Sequence, residues 1–199
     1  MEDAIPLKKS RFRLRYLLLA LILVAAAAGA GTGTYLWLRG GEESVRVVIA
    51  VQIPYPAGWS EEPLTEADRN AGLLLKLDRE RPEASFLART VIATLATDID
   101  INELADETEA ALSTEIENFQ LVRTRVSPIG PFDAVRISYR QEDEGTFAPD
   151  YQVLMAIIPT PNQTFYLTLR AERKDFGKIE DEGLFIINAF ASDVSANLQ

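Results

Sequence analysis

"IPYPAGWS", residues 53–60, is the stretch on which the reading of the fold turns. Before it, Val45, Val47, Ile49, Val51 and Ile53 recur at every second position, with Arg46, Val48, Ala50 and Gln52 between them. That period belongs to a half-buried strand. Pro56 has no N–H to give to a ladder, so Tyr55-Pro56 and Gly58 end the strand. Trp59 is then expected to turn inward, largely buried, and to cap a sheet.

Downstream, "GLLLKLDR" and "SFLARTVIATL" are two apolar runs separated by "ERPEA" and read as a strand pair, while Ser60 to Ala71 reads as a polar loop. From Ile101 the period becomes helical, with Ile101, Leu104, Ala105, Thr108, Leu112, Ile116 and Phe119 on one face. Asp100 and Glu103 have capping-box spacing at its start. Val122, Thr124 and Val126 then alternate with Arg123, Arg125 and Ser127. Val135, Ile137 and Tyr139 alternate with Arg136, Ser138 and Arg140. Ile129-Gly130-Pro131 makes the turn between these two strands. "YQVLMAIIP" and "TFYLTLRAE" form another hairpin across "TPNQ". A last helix runs from about Lys178 to Asn197, with Ile179, Gly183, Ile186, Ile187, Phe190 and Val194 as its stripe. The order predicts an α+β fold, a mainly antiparallel sheet covered by two amphipathic helices.

Composition narrows the chemistry. The 199 residues include neither cysteine nor histidine. A disulfide framework, a thiolate nucleophile or metal site, Ser-His catalysis and a histidine zinc site are thereby excluded. Glycine-rich phosphate loops, dinucleotide fingerprints and G-x-S-x-G are absent as well. The expectation is a non-enzymatic protein with no cofactor, no metal and no catalytic residue. Charge is uneven: up to Gly40 there are six Lys/Arg against two Asp/Glu, and beyond it 14 against 28. An acidic body of this kind repels phosphate backbones, which argues against nucleic acid as a partner.

The basic front contains Lys8, Lys9, Arg11, Arg13 and Arg15, and Tyr16 to Leu38 follows as 23 residues without a charge. As a helix that stretch would be about 34 Å long, enough to cross a bilayer core. The organisation read from this is a cytoplasmic basic tail (1–15), a transmembrane helix (16–38), a linker (39–44) and an extracytoplasmic domain (45–199). A cleaved signal peptide is the competing reading, since "AAAAGAG" offers small residues at cleavage positions. Apolar residues continuing through "YLWL" favour the uncleaved anchor, and either reading exports the body. Gly29 and Gly33 have the spacing of a close helix–helix contact, so a weak homodimer through the span is a further expectation.

Asp98, Asp100, Asn102, Asp106 and Glu109 fall at positions 1, 3, 5, 9 and 12 of a calcium-loop template. Glu103 stands where that loop needs glycine, so a capped helix with a solvated acidic face is the preferred reading. Arg123, Arg125, Arg136 and Arg140 would share one face of a hairpin, with Arg46 or Arg170 as neighbours. Pairing with carboxylates of a covering helix is the plain explanation for them, and an anion-binding face the functional one. Asn162-Gln163-Thr164 matches a glycosylation sequon but equally suits a hairpin turn.

The element order, Tyr55-Pro56 with Gly58-Trp59, and "Gly130-Pro131-Phe132-Asp133-Ala134" before a strand together resemble the Mog1/PsbP-like superfamily over Val45 to Leu198. That superfamily includes photosystem II accessory proteins, a nuclear-import cofactor and many bacterial exported or lipid-anchored proteins. The resemblance implies an α/β/α sandwich and a non-catalytic accessory or binding domain. The lipid-anchoring cysteine of some members and the histidine metal contacts of others have no counterpart here. The expected partner is a protein of a membrane complex. A small-ligand carrier or sensor, with a pocket between sheet and helix, is the alternative.

Overall fold

The computed structural model describes residues 52–91, 100–142, 150–161 and 163–197. The tail 1–15, the span 16–38 with Gly29 and Gly33, the linker 39–44, Arg46, Asp98 and Asn162 lie outside them. So does the alternating stretch up to Val51. Among the described residues, no helix is long and apolar enough to cross a membrane.

The strands are β1 (Trp59–Glu61), β2 (Leu73–Glu80), β3 (Glu83–Val91), β4 (Phe119–Val126), β5 (Val135–Glu142), β6 (Asp150–Pro159) and β7 (Thr164–Glu172). The helices are α1 (Glu66–Asn70), α2 (Ile101–Glu115) and α3 (Arg173–Asn197). The strands form one sheet in the order β1-β2-β3-β7-β6-β5-β4, and every neighbouring pair is antiparallel. Helices α2 and α3 cover opposite faces, which makes the expected α/β/α sandwich.

On one face, Phe176, Ile179, Ile186, Ile187, Phe190 and Val194 of α3 pack on Phe86, Leu154, Leu167 and Leu169. Phe165 and Phe190 meet edge-on, with ring centroids 5.4 Å apart. On the other, Leu104, Ala105 and Leu112 of α2, with Ile116, pack on Val135, Ile137, Tyr139, Met155 and Ile157. Each such fully buried side chain contributes roughly 1.5–3 kcal/mol. Strand β6, between the two helices, is buried without interruption from Val153 to Ile158. That explains why its sequence is a continuous apolar run where β5 alternates.

Three expectations are corrected. Gln52 to Pro56 carry no strand, and a strand begins at Trp59, so the proline-rich stretch leads into β1. The 60–71 segment is not wholly loop, because it holds the end of β1 and the short helix α1. Thr65 and Asp68 close both halves of a capping box at the start of α1. Helix α3 starts at Arg173, directly after β7 and ahead of the expected Lys178. Its first turn is polar, and Phe176 is the first residue it buries.

Trp59 itself meets the expectation at 6% exposure. Its indole N–H donates to Glu182 of α3 at 2.7 Å, closing the β1 end of the sandwich. In β4, by contrast, the alternation does not translate into burial. Leu121, Val122 and Val126 are 41%, 43% and 39% exposed, because β4 is the outermost strand and a bulge between Leu121 and Arg123 shifts its register.

Candidate functional site

Side chains of an antiparallel sheet line up in rows across it, and on the α2 face three rows carry their charged side chains over β2, β3 and β7 and only buried apolar or aromatic ones over β6 and β5. One runs Asp78, Ser85, Arg170, Val153, Tyr139. The next runs Lys76, Leu87, Thr168, Met155, Ile137, and the third Leu73, Arg89, Tyr166, Ile157, Val135. Helix α2 sits on the apolar ends. The polar ends, over β2, β3 and the adjoining part of β7, form two hollows of about 300 Å³ and 500 Å³ that share Ser85 and Arg170. They make one trough.

The trough is bipolar. Lys76, Arg89 and Arg170 line one hollow with Asp68, whereas Glu62, Asp78, Glu80 and Glu83 line the other with Arg79 and Arg170. The Arg170 guanidinium lies 3.6 Å above the Tyr151 ring between them. Burial pushes Asp78 up to about 6, reinforced by its hydrogen bond to Glu62 and by the Glu62 charge. Glu62 is held below its ordinary value by the hydrogen bonds to Asp78 and Lys76. Lys76 in turn is raised by donating to Glu62. A lysine held as an ammonium in this way does not act as a base toward Ser85.

On the α3 face the exposed end is the opposite one. Helix α3 lies over the middle of the sheet, and beyond it the rows end on β5 and the exposed β4 with Arg140 beside Gln120, Ser138 beside Arg123, and Arg136 beside Arg125. The four arginines expected to share a face do so. Arg170, placed with them as a possible neighbour, belongs to the opposite face and to the trough. Pairing with the covering helix accounts for little of the cluster. Arg123 approaches Glu180 at 3.8 Å, and Arg125, Arg136 and Arg140 form no ion pair among the described residues. Arg136 is depressed first by burial, then by the charges of Arg125 and Arg123. The Nε atoms of Arg136 and Arg140 are buried without a hydrogen-bond partner among the described residues.

The calcium-loop positions among the described residues do not converge. Asp100 is the cap of α2, accepting from the Asn102 N–H at 2.9 Å, and Asn102, Asp106 and Glu109 are spread along the helix that follows. Glu109 accepts from Thr124 of β4. No cluster of metal-ligating side chains occurs among the described residues.

The sheet order and the two covering helices define an α/β/α sandwich on one antiparallel sheet, closed at its β1 end by the buried Trp59. The family model described as "Probable lipoprotein LpqN" matches residues 43–190, and the chain belongs to that family. The crystal structure of LpqN involved in cell envelope biogenesis of Mycobacterium tuberculosis superposes with a TM-score of 0.51 at 16% identity, over 68% of this chain and 78% of that one. Cyanobacterial PsbP (CyanoP) from Synechocystis sp. PCC 6803 is similar with a TM-score of 0.47 at 14% identity, over 69% and 83%. The Saccharomyces cerevisiae Ran-binding protein Mog1p follows with a TM-score of 0.44 at 8% identity, over 71% and 82%. No curated protein sequence matches the chain.

Proposed function

We propose that this protein is an accessory domain of the cell envelope, held outside the membrane by residues 16–38 and acting by binding another protein, without catalysis. Membership of the LpqN family supports the envelope setting. The observation that carries the binding role is the β4 end of the sheet, a full-length outer strand with Leu121, Val122 and Val126 exposed. The opposite outer strand, β1, is three residues long and tied to α3 through Trp59. The missing cysteine and histidine, and a lysine locked to Glu62, support the non-catalytic reading.

A second reading is a small-ligand sensor using the trough. Its bipolar lining suits a small molecule carrying both charges, and not the apolar ligand that a closed cavity would take. Photo-crosslinking separates the two. With a photoreactive phenylalanine at Val122, at Phe185 on the exposed side of α3, or at Ser85 in cells, the accessory reading predicts a discrete protein adduct in the membrane fraction from at least one position. No adduct from any position, together with a small molecule retained in native mass spectrometry, would favour the sensor.

A further inference from the structure

Among the described residues strand β4 has a neighbour on one side only, and an outer strand presents a row of backbone donors and acceptors to whatever pairs with it. Its side chains sort by face. Gln120, Arg123 and Arg125 lie on the α3 side, opposite Arg140, Ser138 and Arg136, and Leu121 and Val126 lie on the α2 side, opposite Tyr139 and Val135. Arg125 stands directly across from Arg136, a like-charged pairing that disfavours the sheet. An anionic group beside them would relieve it. We propose that β4 receives an extended segment of a partner protein in which acidic and apolar residues alternate, the carboxylates meeting Arg123, Arg125 and Arg136 and the apolar side chains meeting Leu121 and Val126. The proposal rests on the accessory reading and names the chemistry of its partner.

Other occupants fit less well. A second copy paired through β4 would set Arg123 and Arg125 against the same arginines. An anionic lipid surface would meet the arginines but supply no backbone donors and acceptors for the strand edge. An added strand uses backbone, charge and apolar surface together, the three things this edge offers.

The test uses the full chain in neutral detergent and a capped peptide of the length of β4 alternating glutamate and valine. Comparison probes are a lysine–valine peptide and phosphatidylcholine vesicles containing phosphatidylglycerol. Expected are binding of the glutamate–valine peptide, slowed amide exchange across 119–126, and an affinity loss of at least about tenfold in Arg123→Glu/Arg125→Glu. Near-ultraviolet circular dichroism verifies that this variant is folded. Equal binding of the lysine–valine peptide, protection elsewhere, or an unchanged affinity in the variant would overturn the proposal. Vesicle binding through these arginines without peptide binding would replace it with a membrane surface. If the arginines only keep copies apart, Arg123→Val/Arg125→Val self-associates while the unaltered protein ignores the peptide, and the proposal fails. A crosslinked adduct that persists in Arg123→Glu/Arg125→Glu would leave the accessory reading standing while removing this edge as its site.

Discussion

Glu182 accepts from the Trp59 indole across 2.7 Å and from the Arg79 guanidinium through the same oxygen, joining β1, β2 and α3 at one carboxylate. Arg79 also stands 6.0 Å from the Trp59 ring centroid. Trp59→Ala removes the buried ring and one of the carboxylate's two donors, leaving Arg79 as the other. A loss of about 3–5 kcal/mol in urea unfolding is expected. Trp59→Phe keeps most of the packing and gives up the bond to a charged acceptor, about 1.5–3 kcal/mol. No loss in Trp59→Phe would show that the bond contributes nothing, and equal losses in the two variants would show that the bond, not the packing of the ring, carries the effect.

Gly183 is a helix-interior glycine whose replacement by alanine would ordinarily help by about 1 kcal/mol. Here a Cβ would lie 2.4 Å from Leu169 Cδ2, and Leu169 is fully buried in the sheet. The contact outweighs propensity, so Gly183→Ala is expected to destabilise by about 1–3 kcal/mol. The same change in a Leu169→Ala background should cost less than in the unaltered protein, which thermal unfolding of the four species would measure.

The elements legible in sequence are those whose side chains are sorted by one covering surface. Val135, Ile137 and Tyr139 alternate because α2 covers a single face there, and Ile179 to Val194 repeat because α3 buries one stripe. Helix α1 was not legible, since its five residues bury nothing and leave no periodicity to read. Nor was the trough. Lys76, Asp78, Arg89 and Arg170 look like the solvent side of ordinary strands, and only the placement of α2 decides which half of that face stays open. The Trp59–Glu182 bond spans 123 positions, beyond the reach of any local pattern. The arginine face was legible from alternation alone, whereas the bulge that shifts Arg123 against its neighbours was not.

Asp78 and Glu62 line the same hollow, and their shifts act in opposite directions. Asp78, raised from 3.8 to about 6, binds its proton more tightly in the folded state. Its contribution to stability is therefore present in acid and lost as pH rises through about 6. Glu62 is depressed from 4.5, so its contribution is present above that value and lost as pH falls. Asp78→Asn should flatten the decline in stability between pH about 4 and 7, a change visible in urea midpoints across that range. An unaltered pH profile in this variant would refute the assignment.

Arg125 and Arg136 face one another across β4 and β5, so removing one charge relieves repulsion. Arg125→Gln is expected to raise stability by roughly 0.2–1 kcal/mol while weakening any anionic partner. A stability loss on that substitution would mean that Arg125 already has a favourable contact.

The central claim, a binding domain held outside the membrane, is tested most directly by cysteine labelling, because the chain has no cysteine of its own. Single Ser10→Cys and Glu66→Cys variants, treated in spheroplasts with a membrane-impermeant maleimide, place the tail and the domain separately. The account predicts that Glu66→Cys labels at once and Ser10→Cys only after lysis. Labelling of Ser10→Cys in intact spheroplasts, or protection of Glu66→Cys until lysis, would contradict it.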